Sequence, residues 1–148
     1  MSDLAADNLR SLGSITGRLT IVLTLPPSVN SMYRTWGGRI IKSEAYRLWI
    51  EEARFDINRQ HVRARIPEPR YEVHLWMMLP DRKRRDLSNM VKAIEDVVSD
   101  YLGYDDKLHD VIHLYKALDR VNPRAVFVLT HKERRIPPPG VIEEAASL

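Results

Sequence analysis

Between Tyr71 and Gly103 the chain has little choice of conformation. Tyr71, Val73, Leu75, Met77 and Leu79 alternate with Glu72, His74, Trp76 and Met78. That period of two predicts a strand. Both sides are largely apolar, so the strand belongs in the middle of a sheet, covered on each face. Pro80 closes it, because proline has no N–H to give to a ladder. Beyond four consecutive cations, Leu87, Met90, Val91, Ile94, Val97, Val98, Tyr101 and Leu102 recur at about 100° per residue. This predicts a helix over 86–102, ended by Gly103. A covered strand followed by an amphipathic helix requires a layered core, with the helix laid on the sheet.

The flanking segments fit that plan. Leu19, Ile21, Leu23 and Leu25 alternate with Thr20, Val22 and Thr24, predicting a strand over 19–25 that Pro26-Pro27 ends. Asn30, Ser31, Tyr33 and Arg34 then occupy a loop with a turn at Gly37-Gly38. Those side chains suit a phosphate or a base, and equally an ordinary turn. Ser43 is the expected N-cap of a helix to Gln60. Its stripe of Tyr46, Trp49, Ile50, Ala53 and Ile57 reads as scaffold, with Trp49 in the core. After the break at Pro67 and Pro69, His74 reads as a structural histidine on its strand. Strands are expected over 111–118 and 124–130, joined as a hairpin through Asn122-Pro123. His109 and His113 have the spacing of helical metal ligands, but they fall in loop and strand, where that spacing carries no ligand argument. The order is β-α-β-α-β-β: an α+β fold, with a small mixed sheet and helices on one face. The expected organisation is a flexible arm over 1–18, one domain over 19–135, and a proline-rich then acidic tail over 136–148.

The 148 residues contain no cysteine, which excludes disulfides and thiolate zinc sites. No apolar run approaches the roughly 20 residues of a membrane span. The first residues lack the basic start and apolar stretch of a signal peptide. A soluble, cytoplasmic protein is expected. The net charge is only +3, but it is segregated. Arg82, Lys83, Arg84 and Arg85 form a solid block, and Glu95, Asp96, Asp100, Asp105, Asp106 and Asp110 follow within a short stretch. Cations hold phosphates and clustered carboxylates hold divalent metal, so the pairing suits a metal-dependent enzyme that cuts DNA. Any one of these charges taken alone reads as a solvated surface group.

The predicted helix sets Ser88, Asn89, Lys92 and Asp96 on the side opposite its apolar stripe. Asp86 leads into the helix, where an acid is favoured by capping and by the helix dipole whatever its function. Lys92 and Asp96 equally form a plain i, i+4 pair. Asp86 and the pair Asp105-Asp106 flank a helix of about 25 Å. They meet in one subunit only if the chain after Gly103 returns along that helix; otherwise the site is shared between subunits.

Pro80-Asp81-Arg82-Lys83-Arg84-Arg85-Asp86-Leu87-Ser88-Asn89, followed by Lys92, Asp96 and Asp105-Asp106, resembles the RusA family of Holliday junction resolvases. Leu25-Pro26-Pro27-Ser28-Val29-Asn30 resembles that family's N-terminal motif, and the likeness covers residues 19 to 132 or so. The resemblance implies a homodimer that cuts four-way DNA junctions by paired symmetric nicks, in recombination and repair, with Mg²⁺ or Mn²⁺. It also implies roles. Asp86 matches the first acid of the family's Asp-x-Asp-Asn motif, Lys92 the lysine one turn beyond it, and Asp106 the second acid of the later pair. Ser88 stands where the motif has its second acid, offering a neutral oxygen in place of a charged one. Asp86, Ser88 and Asp106 would hold metal, with Asp105 or Asp96 as accessories. Asp86, Lys92 and Asp106 would form the catalytic set. Arg82, Lys83, Arg84, Arg85, Asn30, Arg34 and Asn89 would contact DNA.

Two rivals remain. Pro80-Asp81 with Asp105-Asp106-Lys107 matches the loose Pro-Asp…Asp-x-Lys pattern of restriction-type nucleases, which wants its Asp-x-Lys on a core strand. A non-catalytic module binding branched DNA is the other, made credible by the serine at 88.

Overall fold

The computed structural model describes residues 17–133. Apart from Gly17 and Arg18, the expected arm lies outside the described residues, as does the expected tail over 136–148. The fold is α+β. Strand β1 (Leu19–Leu23) leads into a short helix α1 (Val29–Met32) and a hairpin of β2 (Tyr33–Trp36) and β3 (Arg39–Lys42). Helix α2 (Glu44–Arg59), β4 (Tyr71–Leu79), helix α3 (Ser88–Leu102), β5 (His109–Leu118) and β6 (Arg124–His131) complete it.

The main sheet has the order β1-β6-β4-β5, so β4 is internal, as its two apolar sides require. It is mixed: β4 pairs parallel with β5 and antiparallel with β6. β4–α3–β5 is therefore a βαβ unit. The helix crosses over so that β5 can run beside β4 in the same direction. The expected hairpin of the last two strands does not form. β5 and β6 flank β4 on opposite sides, and the connector strides over the end of β4, where the Asp119 N–H donates to the Leu79 carbonyl at 2.8 Å. The segment after Pro27 is also more than a loop, since it holds α1 and the β2–β3 hairpin. The element order is thus β-α-β-β-α-β-α-β-β.

Helices α2 and α3 lie on one face of the sheet. Ile21 of β1, Val73, Leu75 and Met77 of β4, and Phe127 and Leu129 of β6 meet Trp49, Ala53 and Ile57 of α2 and Met90, Ile94 and Val98 of α3. Each Val, Leu, Ile, Met or Phe among them contributes about 1.5–3 kcal/mol when fully buried. Trp76, Met78, Val126 and Val128 form a smaller cluster on the other face. Ser43 caps α2 as expected, its Oγ accepting from the Tyr46 N–H at 3.1 Å. Past the other end of α2, the Gln60 amide both accepts from the Val22 N–H and donates to the Val22 carbonyl, each at 2.8 Å. It thereby occupies part of the free edge of β1 that a further strand would otherwise take. No helix among the described residues is long and apolar enough to cross a membrane.

Candidate functional site

The solvent face of α3 carries the candidate residues, in two groups. The first is at the N-terminus. The helix begins at Ser88, two residues later than the periodicity predicts, because the Asp86 side chain takes over the local hydrogen bonding. One carboxylate oxygen of Asp86 accepts from the Ser88 N–H at 3.0 Å and from the Ser88 hydroxyl at 2.5 Å. These bonds hold the Asp86 carboxyl below the usual carboxylate range, the hydroxyl contributing most. Asp86, Ser88 and Asn89 are all exposed.

The second group depends on the path of the chain beyond the helix. Gly103 takes the left-handed conformation (φ +78°), and the N–H groups of Gly103 and Tyr104 both donate to the Ser99 carbonyl. The chain turns back along α3. Asp105 caps a single 3₁₀ turn over Asp106–Leu108 by accepting from the Lys107 N–H at 3.0 Å. The turn delivers Asp106 to Lys92, Oδ2 to Nζ 2.6 Å, while Asp96 reaches the same ammonium at 2.8 Å. The return that the sequence leaves open therefore occurs within one chain, as far as Lys92. Asp86 lies six residues nearer the helix start, about 9 Å along the axis.

A part-buried string of hydrogen bonds pins the returning loop. The Tyr104 hydroxyl lies 2.7 Å from His109 Nε2, and His109 Nδ1 lies 2.8 Å from the Glu95 carboxylate on α3. A neutral His109 protonated at Nδ1 satisfies both contacts: it donates to Glu95 and accepts from Tyr104. Burial pushes the Tyr104 phenol well above its ordinary value, so it stays a donor. Lys92 holds Asp106 below the usual carboxylate range, and Asp106 followed by Asp96 raises Lys92 above the usual lysine value. Asp106 and Lys92 are thus both ionised throughout the neutral range.

Beside this group opens a cleft of about 490 Å³, lined among others by Tyr33, Lys42, Tyr46, Asp96, Asp105 and Asp106. Tyr33 and Lys42 stand at the base of the β2–β3 hairpin and Tyr46 on α2, where the rings of Tyr33 and Tyr46 are 5.7 Å apart. Burial, more than any neighbour, pushes the Tyr46 phenol up to about 12. Lys42 and Tyr46 are among the cleft residues that sequence reasoning missed. Tyr46 falls in the apolar stripe of its helix, and only the hairpin fold brings Lys42 to it, 5.5 Å from the ring centre.

The basic block divides. Arg82, Lys83 and Arg84 are exposed. Arg85 is half-buried and bonded to Asp81 at 2.6 Å, which draws the Asp81 carboxyl down to about 2. Asn30 on α1 and Arg34 on β2 are exposed as well. Asp105, Asp106 and Lys107 lie in a loop and a 3₁₀ turn, so the core-strand placement that the restriction-type pattern wants is not met.

A protein-family model described as Endodeoxyribonuclease RusA matches residues 24–129. The chain belongs to the RusA family. The match runs from the end of β1 through most of β6 and takes in both groups on α3, the basic block and the hairpin. Among solved structures, the chain has a likeness to 2C-methyl-D-erythritol 2,4-cyclodiphosphate synthase from Plasmodium vivax, at 13% identity over 79% of this chain and 97% of that one, with a TM-score of 0.28. The comparison with curated proteins gives no match. The RusA family is one of endodeoxyribonucleases, which gives the charged cluster along α3 a chemical context.

Proposed function

We propose that this protein is a metal-dependent endodeoxyribonuclease that resolves four-way DNA junctions by paired nicks, acting as an intracellular homodimer in recombination and repair. The observation that carries the reading is the return of Asp106 to Lys92 on the exposed face of α3, in a chain of an endodeoxyribonuclease family.

The donor set fits a hard cation. Asp86 and Asp106 offer carboxylate oxygens, Asp96 and Asp105 stand by, and Mg²⁺ needs only one or two protein carboxylates because it keeps several waters. Asp86 and Asp106 would hold Mg²⁺ or Mn²⁺, with Ser88 contributing directly or through water. When bound, such an ion supplies charge neutralisation at phosphorus and an acidified water. The chain's own groups do the rest. The Lys92 ammonium, held by Asp106 and Asp96, is set to stabilise charge on the phosphoryl oxygens or to orient the attacking water. Arg82, Lys83 and Arg84 bind backbone phosphates, and Asn30, Arg34 and Asn89 add further DNA contacts. Arg85, fixed by Asp81, keeps unused donors for the same purpose. A two-fold dimer presents two such surfaces, which matches a four-way junction cut in two places. Phosphate contacts carry no sequence code, so recognition is by junction shape.

Ser88 supports a second reading, a junction-binding module without cleavage, because its hydroxyl serves Asp86 where the family pattern has an acid. A labelled four-way junction incubated with Mg²⁺ or Mn²⁺, beside linear duplex and flap substrates, separates the two. Paired nicks in the junction are expected. Asp106→Asn should abolish them and leave junction binding intact. Binding without product in both metals would replace the first reading with the second, and full activity in Asp106→Asn would remove Asp106 from the site.

A further inference from the structure

The sheet face turned away from α2 and α3 holds a second cluster of ionisable groups. Glu72 and His74 are two residues apart on β4 and so project from the same side, and His113 of β5 is the register partner of His74. Glu72 is 4% exposed and His74 8%. Both imidazoles aim Nε2 at one carboxylate oxygen, Glu72 Oε1, at 2.6 Å from His113 and 3.5 Å from His74. One ligand atom from each residue can be chosen so that all lie within 4.8 Å of one another.

We propose that Glu72, His74 and His113 form a binding site for zinc or a similar divalent transition ion, distinct from the carboxylate groups on α3. Four observations carry this. First, in a tetrahedral site with bonds of about 2.0–2.1 Å, ligand atoms sit about 3.3 Å apart. The two Nε2–Oε1 distances bracket that value, so small side-chain shifts admit an ion. Second, the His74 and His113 rings are stacked, with centres 4.3 Å apart and planes within 13°. The stacking sets the two rings side by side with both Nε2 atoms facing the same carboxylate. Third, His74 Nδ1 lies 3.3 Å from the Tyr115 hydroxyl. An Nδ1–H donating there presents the Nε2 lone pair toward Glu72, the outer hydrogen bond that metal-binding histidines ordinarily make. Fourth, the His113 side chain is 30% exposed on the edge strand, which gives an ion a route in and leaves room for water as a fourth ligand. Two imidazoles and one carboxylate suit zinc, cobalt or nickel, whereas magnesium takes oxygen donors. The ligands come from neighbouring strands, so a bound ion ties edge strand β5 to β4.

The test is a Co²⁺ titration of the purified full chain after chelator treatment, read in the visible absorption that low-coordinate cobalt gives with nitrogen ligands. One equivalent should develop the band. Zn²⁺ should bleach it, a large excess of Mg²⁺ should not, and Zn²⁺ should raise Tm. His113→Gln, chosen because it is the most exposed of the three, should lose both the band and the Tm shift while keeping the far-UV circular dichroism of the parent. If that variant does not fold, Glu72→Gln takes its place. Asp106→Asn should keep both signals. No band in the parent, or an equal band in His113→Gln, overturns the proposal and leaves a buried carboxylate–histidine pair. None of these readouts depends on DNA cleavage, so a failure here leaves the nuclease reading standing, and the reverse.

Discussion

Ser88 donates both its N–H and its hydroxyl to Asp86, so one residue sets the charge and the direction of the acid that leads into α3. The Asp86 carboxyl is depressed in the folded chain. It therefore stays ionised as pH falls through the ordinary value of about 3.9 and protonates only below it. Ser88→Ala removes the larger of the two causes, so carboxyl-carbon NMR titration should find the Asp86 pKa raised toward that ordinary value. An unmoved pKa would mean that the hydroxyl bond does not persist in solution. Ser88→Asp restores the family's second acid and should lower the Mg²⁺ concentration for half-maximal cleavage, by about tenfold if outer donors act here as they do at other metal sites. No change would exclude position 88 from the metal's surroundings. The Lys92–Asp106 pair is different in kind. The lysine side chain is 61% exposed, so solvent screens the pair and its loss should cost less than about 1 kcal/mol. Its sign runs two ways. The depressed Asp106 contributes stability above its unfolded pKa, lost as pH falls through the folded one. The raised Lys92 contributes below its own unfolded pKa, lost as pH climbs through the folded one. Thermal denaturation of Asp106→Asn at pH 7 should show a Tm close to the parent's, so that lost cleavage reports chemistry and not unfolding.

At the scale of elements, what was legible had a buried side to betray it. β4 and α3 each carry a period that burial enforces, and β4 is found where its pattern predicts, with α3 beginning two residues late. The β2–β3 hairpin was not legible because almost every residue in it is exposed, leaving no inward face to set a period. The last two strands were misjoined for another reason: a short connector suggests a hairpin, but the α3 crossover had already put β5 parallel to β4 on its outer side. A register shift opposite Tyr71/Glu72 also hid the two histidine sites. In a regular strand His109 and His113 would share a face. The shift leaves His109 packed with Tyr71 and Phe127 beneath the helices and turns His113 to Glu72 on the opposite face. The return of Asp106 was likewise unreadable, since it depends on the Glu95–His109–Tyr104 string across two elements. That string gives a prediction. His109→Ala leaves Glu95 and Tyr104 each short of a partner, at about 1–3 kcal/mol apiece. It should speed amide exchange at residues 104–108 and lower cleavage, with junction affinity kept. Unchanged exchange in that loop would show that something else holds it.

At the scale of the whole molecule, the basic block offers fewer unengaged charges than the composition suggests. Arg82, Lys83 and Arg84 stand out from the connection between β4 and α3, whereas Arg85 is already engaged by Asp81. Each phosphate contact releases counterions, so the slope of log K against log salt counts contacts, at about 0.9 per contact on duplex arms. A homodimer carries every contact twice. If Arg84 binds a phosphate, Arg84→Ala should reduce the slope by about 1.8 in a dimer and about 0.9 in a monomer. Arg85→Ala should change it less per residue, because a guanidinium held by a carboxylate gives up less on the DNA and its removal frees Asp81 to repel the backbone. The measurement is junction binding by the Asp106→Asn chain, without added divalent metal, across a salt series, with sedimentation velocity to fix the oligomer. A dimer in sedimentation with a slope change near 0.9 would mean that only one subunit grips the junction through this block, and paired symmetric nicking would then have to come from two binding events.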